Sequence, residues 1–297
     1  MEGFYCSDYS QRVNEPMYAT AAHAELWLML EYNGRWEPKA FENSELPAPV
    51  KTLLAHAADQ LPRARIQLIR QPLHQNGLAF YFALARETNP VLYEFHLDSY
   101  ADLLALDLAG LYAENPIYTP NLRTDPLFLV CTHGRRDKCC ARYGMLVYEI
   151  LAAQFGGSVW QTTHVGGHRF AANLLCFPHG LSFGRIDPLR AETLVQHYRR
   201  GQILLDFFRG RACYPEPVQA AEYFLRRELG LTEVDALRLE QLESVDGQAW
   251  KVTFSTAIQA YYCIGISADS DFETWTSCKD TAPSPTTLYR LTDCEQL

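Results

Sequence analysis

The chain has 297 residues, 48% hydrophobic and 21% charged, which describes a folded protein of two or three compact units and excludes a disordered one. Its net charge of −9 argues against a general nucleic-acid binder, and no stretch approaches the roughly 18 apolar residues of a membrane span. The charge is uneven: residues 121–213 carry 12 basic and 6 acidic side chains, net +6, between an N-terminal part at −7 and a C-terminal part at −8. That middle segment is either plain solvated surface or a basic face for an acidic partner. The first residues lack a basic stretch followed by an apolar core, so no secretory signal is read. The nine cysteines are then expected as thiols in a reducing cytoplasm, where clustered cysteines serve metal binding or redox chemistry.

Residues 1–24 read as a lead-in, in which a metal role for the lone Cys6 is the minor alternative to an ordinary thiol. An apolar run over 24–31 predicts a strand. Residues 47–60 have helical spacing, with Val50, Leu53, Leu54 and Ala57 on one face. Strands are expected over 64–70, 77–85 and 91–97, separated by a Gln75-Asn76-Gly77 turn and a Thr88-Asn89-Pro90 turn. A helix begins after Asp98 or Ser99 as N-cap.

In the middle segment, 127–130 is a short buried strand that ends at Cys131. A helix over 140–154 follows, with Leu146, Ile150 and Leu151 on one side and Gly156-Gly157 as its stop. Residues 158–163 form a strand leading into a loop at His164. Residues 171–177 and 181–186 make a hairpin around Pro178-His179-Gly180, and Pro188 starts a helix. Tyr214-Pro215-Glu216-Pro217 reads as a boundary. Beyond it come an amphipathic helix over 218–229, strands over 235–242, 250–255 and 260–266 with an Asp246-Gly247 hairpin turn, and a closing segment over 283–289. The fold class is therefore α/β (α+β). The middle segment, 121–213, has a thioredoxin-like order. The N-terminal part, 1–120, is a second and degenerate version of it, and 214–297 is a small α+β region.

The chemistry concentrates in two glycine-rich stretches. One is Cys131-Thr132-His133-Gly134-Arg135-Arg136-Asp137-Lys138-Cys139-Cys140, and the other is His164-Val165-Gly166-Gly167-His168. Thiolates and neutral imidazoles bind zinc and iron–sulfur clusters. Gly166 and Gly167 favour a loop that can approach a centre closely over a helical His-x-x-x-His. The Cys131–Cys140 separation is wider than the Cys-x2–4-Cys of most structural zinc sites, which favours a larger cluster. Spacing alone leaves both a 2Fe–2S cluster and Zn2+ open. Cys139 competes with Cys140 as the second ligand. Cys176 falls in the hairpin core, and Cys213, Cys263, Cys278 and Cys294 show no partner pattern. His133 and His179 lie near the site, where they could hydrogen-bond the centre, but surface or turn roles are the preferred reading. No Cys-x-x-Cys exists for a dithiol mechanism, and no phosphate-cradling loop or paired carboxylates are present.

These motifs, with Arg169-Phe170 after His168 and the Phe177-Pro178-His179-Gly180 hairpin, resemble the sucrase/ferredoxin-like family, relatives of thioredoxin-like 2Fe–2S ferredoxins. Cys6-Ser7-Asp8 and Ser277-Cys278 extend the resemblance over most of the chain. The related ferredoxins use four cysteines, the last two as Cys-x3-Cys, and here His164 and His168 occupy that spacing. The resemblance implies a 2Fe–2S cluster with Cys131 and Cys140 on one iron and His164 and His168 on the other. It implies a one-electron carrier more than an enzyme with its own substrate. Bis-His sites span about −150 to +300 mV, against about −400 mV for plant-type ferredoxins. An imidazole proton held more tightly on reduction implies a potential that falls as pH rises. Arg135, Arg136, Lys138, Arg142 and Arg169 are the expected docking face for acidic redox donor and acceptor proteins. The alternatives are a structural Cys2His2 zinc module that mediates protein contacts and, less well supported, a thiol redox enzyme acting through Cys139 or Cys140.

Overall fold

A computed structural model describes residues 3–72, 74–75 and 77–297. The expected turn at 75–77 falls partly on Asn76, outside the described residues. The first half comprises α1 (Cys6–Arg12), β1 (Leu26–Glu31), α2 (Ala48–Gln60), β2 (Ala64–Arg70), β3 (Leu78–Leu84), β4 (Val91–Leu97) and α3 (Leu108–Tyr112). The second comprises β5 (Leu127–Cys131), α4 (Lys138–Phe155), β6 (Val159–Thr162), β7 (Leu174–Phe177), β8 (Leu181–Phe183), α5 (Pro188–Arg199) and β9 (Phe208–Arg211). The C-terminal region comprises α6 (Glu216–Leu229), β10 (Leu237–Ser244), β11 (Ala249–Thr256), β12 (Tyr261–Thr274) and β13 (Ser284–Gln296).

Both halves have one topology. In each, the first two strands are parallel through a crossover helix, and the third and fourth add antiparallel on the other side. This is the thioredoxin-like strand order, found twice. The two second strands, β2 and β6, pair antiparallel through Ile69–Thr162 and Arg70–Gln161. The halves therefore share one nine-stranded sheet, β4-β3-β1-β2-β6-β5-β7-β8-β9.

Alternation along the strands sorts the core. Leu26, Leu28 and Leu30 face α2, with Val50 and Leu54 against them. Phe128 and Val130 face α4 and α5, and Cys176 joins that cluster. The opposite faces of the two halves meet each other: Trp27, Met29 and Tyr81 pack with Leu129, Trp160 and Phe177. The rings of Trp27 and Phe177 lie 5.3 Å apart. Beyond this, α6 is packed on β9 and on the four-stranded sheet β10-β11-β12-β13. Its Glu222 is buried between Arg211 and Arg226.

Several expectations change. The lead-in contains a helix, α1. Helix α4 begins two residues earlier than its hydrophobic spacing suggests, because Asp137 caps it. Leu146 is exposed, and Val147, Tyr148 and Leu151 form the buried face. Strand β9 had no signal, since Phe208-Arg209-Gly210-Arg211 has two arginines where a strand core is expected to be apolar. Strands β12 and β13 run well past their apolar stretches as a long hairpin, because main-chain pairing and not side-chain burial carries its outer end.

His179, at the β7–β8 turn, is held by Tyr198, with 2.7 Å between Nδ1 and the hydroxyl. Burial, with Arg211 adding to it, lowers its pKa from 6.5 to about 4. Below 6.5 the unfolded chain therefore binds a proton that the native state refuses. Urea unfolding should show stability falling as pH drops from about 6.5 towards 4, and His179→Gln should remove that part of the slope.

Candidate functional site

Cys131 ends β5, and Cys140 lies in the first turn of α4. Strand and helix come together here because residue 144 is glycine: a Cβ there would stand 2.1 Å from the Cys131 carbonyl oxygen. Successive helical residues point about 100° apart, so the adjacent cysteines diverge. The Cys140 sulfur faces His164, 3.8 Å from Nδ1. The donor atoms of Cys131, Cys140 and His164 all lie within 4.8 Å of one another. Cys139, the alternative second ligand, turns its sulfur away from this group towards Cys278 and Cys6.

The histidine loop is shaped by its glycines. Gly166 and Gly167 have φ of +93° and +65°, which L side chains rarely adopt. Gly167 also lies so close to Arg209 that a Cβ would meet Nη2 at 2.3 Å. Arg209 is buried and donates to the Gly166 carbonyl at 3.2 Å and to Asn173 Oδ1 at 2.8 Å. The loop returns the chain so that His168 Nδ1 stands 3.4 Å from His164 Nε2. His168 Nε2 is buried, lies 3.6 Å from Asp137 Oδ2, and has no hydrogen-bond partner among the described residues. Burial lowers the His168 pKa, more than Asp137 raises it, which keeps the ring neutral and able to donate a lone pair.

The thiols are electrostatically uneven. A hydrogen bond from Cys140, then His164, brings the Cys131 thiol well below its ordinary range, and Cys140 is raised in turn. The N-terminus of α4 adds a positive field. The donor set is thus two buried sulfurs, one of them disposed to ionise, and two imidazoles, one with an unpartnered nitrogen. These residues fit a soft or borderline metal centre.

Two supporting residues have roles that the sequence reading did not prefer or did not find. His133 is buried, not a surface residue: Nε2 donates to the Glu37 carbonyl at 2.9 Å, leaving Nδ1 to accept the His164 backbone N–H at 3.3 Å. Its position two residues after Cys131 was the available signal. Arg209 had none, because its strand was not recognised. His179 serves the hairpin instead. An open cleft lined by Lys39, Arg65, His133, Arg136 and His164 reaches the site from solvent. Of the expected docking cations, Arg135 pairs with Glu37 at 2.7 Å and Arg169 with Glu15 at 2.6 Å. Arg136 and Arg142 are exposed, and Lys138 lies over the Tyr5 ring.

The family model described as sucrase/ferredoxin-like matches residues 17–210. The chain belongs to the sucrase/ferredoxin-like family. It is 30% identical to "Altered inheritance of mitochondria protein 32" of Candida glabrata over 115 residues, which is 34% of this chain and 37% of that protein. It is 35% identical to the protein of the same name from Meyerozyma guilliermondii over 98 residues, 29% and 35% of the two chains. The chain spans about a third of the length of these curated relatives. Among solved structures it is similar to a thioredoxin-like 2Fe-2S ferredoxin from Aquifex aeolicus, with 14% identity and a TM-score of 0.28, covering 30% of this chain and 94% of that one. A Cys59Ser variant of that ferredoxin gives 14% identity and a TM-score of 0.26 over 28% and 97%. No helix among the described residues is long and apolar enough to cross a membrane.

The contact at Gly144 makes a direct prediction. Gly144→Ala drives a methyl into the Cys131 carbonyl and should destabilise the chain by about 1–3 kcal/mol, the usual cost of overpacking. Urea unfolding of the metal-free protein measures it, and an unchanged midpoint would mean that α4 and β5 are not in this contact.

Proposed function

We propose that the chain is a one-electron transfer protein whose 2Fe–2S cluster is ligated by Cys131, Cys140, His164 and His168. The observation that carries this is the convergence of Cys131, Cys140 and His164 within 4.8 Å, with the His168 ring next to His164, 3.4 Å from its Nδ1 to the His164 Nε2, and its own Nε2 without a hydrogen-bond partner among the described residues. Such a cluster, when bound, accepts and returns one electron. The protein's part is to hold four donors, keep the His168 imidazole neutral and set the charge around them. Two imidazoles in place of two thiolates leave the site less negative, which favours reduction. Buried Arg209, within Coulombic reach of both sulfurs, acts in the same direction. The chain then works as a carrier and not as an enzyme with its own substrate. We place it in the reducing cytoplasm, where clustered cysteines serve metal binding and redox chemistry.

Iron and sulfide analysis of anaerobically purified protein tests this reading. Two irons and two sulfides per chain, with a brown colour lost in His164→Ala and Cys140→Ser, are expected. Zinc at these four residues with no iron after reconstitution would replace it with the structural Cys2His2 module.

The docking face is proposed to be Arg136, Lys138 and Arg142, the cations of the expected set that pair with no carboxylate among the described residues, and its partners to be acidic redox proteins. Reversing Arg136 and Arg142 to Glu should slow reduction by an acidic ferredoxin-type donor about tenfold or more at low salt and flatten the salt dependence. An unchanged rate at low ionic strength would remove this face from the account.

A further inference from the structure

A second set of soft ligands converges behind the first. Cys6 opens α1, Cys139 lies in the first turn of α4, and Cys278 sits in the loop 275–283 between β12 and β13. Their sulfurs form a nearly regular triangle: Cys139–Cys278 3.2 Å, Cys278–Cys6 3.5 Å and Cys6–Cys139 3.6 Å. Asp137 Oδ1 is 4.0 Å from the Cys6 sulfur, and the four donor atoms lie within 4.8 Å of one another. Cys6, Asp137 and Cys139 are fully buried. Phe4, Tyr5, Tyr143 and Trp275 wall the group, and the Cys6 backbone N–H donates to the Cys278 sulfur at 3.3 Å.

Packing alone gives no reason for three thiols from the chain's two ends and its middle to meet. A disulfide joins two sulfurs at about 2.0 Å and would leave the third over. Metal–thiolate bonds of about 2.3 Å in a tetrahedron place the sulfurs about 3.8 Å apart, a few tenths of an ångström from the triangle seen here. Three sulfurs and one carboxylate make a closed four-ligand set of the structural type. We propose that Cys6, Cys139, Cys278 and Asp137 bind a single thiophilic divalent cation, zinc in the cell, at a site separate from that of Cys131, Cys140, His164 and His168. Binding exchanges the thiol protons for the metal and releases them to solvent. The metal ties the N-terminal helix and the C-terminal hairpin to the helix that carries Cys140.

The test uses the full chain with Cys131→Ser and Cys140→Ser, so that the other site cannot compete, and Co2+ and Zn2+ as probes. One cobalt per chain with the intense visible bands of tetrahedral thiolate coordination, displaced by one zinc, is expected. Adding Cys278→Ser should weaken cobalt binding by more than the roughly 10–100-fold of an outer-shell change, while Cys213→Ser leaves it unchanged. Absence of cobalt bands in folded protein, or a Cys139–Cys278 disulfide in intact-mass and peptide analysis, overturns the proposal. If the double variant does not fold, zinc and iron are counted in the unmodified chain and in Cys6→Ser. One zinc lost with iron retained supports the site, and zinc content equal in the two overturns it. Counting both metals separately keeps failure of this site distinct from failure of the cluster.

Discussion

The carboxylate of Asp137 is the interaction on which the site's surroundings depend. It is fully buried and its two oxygens are shared among several parts of the chain. Oδ1 accepts the Cys139 N–H at 2.9 Å and so caps α4. Oδ2 accepts the Ser277 hydroxyl and the Cys278 N–H, both at 2.8 Å, and faces His168. A buried carboxylate is costly unless its oxygens are satisfied, and here backbone N–H groups from two elements satisfy it. The same group therefore orients the turn that presents Cys140, receives the tip of the C-terminal hairpin and stands next to the histidine loop. Glu15 does a parallel job nearby, joining Ser10, Arg169 and Thr274.

The frame behind it is a duplicated strand order joined at β2 and β6. The join is polar where the cores are apolar. Gln67 accepts from Thr162 and Thr163, and Gln161 from Thr132. These bonds satisfy buried polar groups beside the loop that leads to His164 and couple its base to both halves. Only the second half carries the cysteine and histidine stretches. The first half contributes a core partner through Trp27 and Tyr81 and one wall of the cleft through Lys39 and Arg65. In this family member the half without these stretches thus serves as the support and partial cover of the half that carries them.

Much of this frame was legible because its strands are short apolar runs closed by Gly, Asn and Pro turns. Residues 64–70 and 91–97 coincide with β2 and β4, where alternation and turn chemistry agree. What was not legible depends on tertiary context. The start of α4 is set by Asp137 as a cap, not by hydrophobic spacing. Strand β9 pairs through its backbone while its arginines find buried acceptors, so its composition conceals it. The convergence of Cys6 and Cys278 on Cys139 joins residues 272 and 139 positions apart, which local spacing cannot reveal. The Cys131, Cys140 and His164 group was legible for the opposite reason. Each lies in or next to a glycine-bearing stretch at the end of a strand, where the fold brings neighbouring loops together.

The central claim is imidazole ligation of an iron–sulfur cluster by His164 and His168. Pulsed EPR of the reduced protein, with 15N-histidine substituted for natural abundance, tests it most directly. Two strongly coupled histidine nitrogens, one lost in each of His164→Cys and His168→Cys, are the predicted result. A paramagnetic cluster whose spectrum shows no histidine nitrogen coupling would contradict the account.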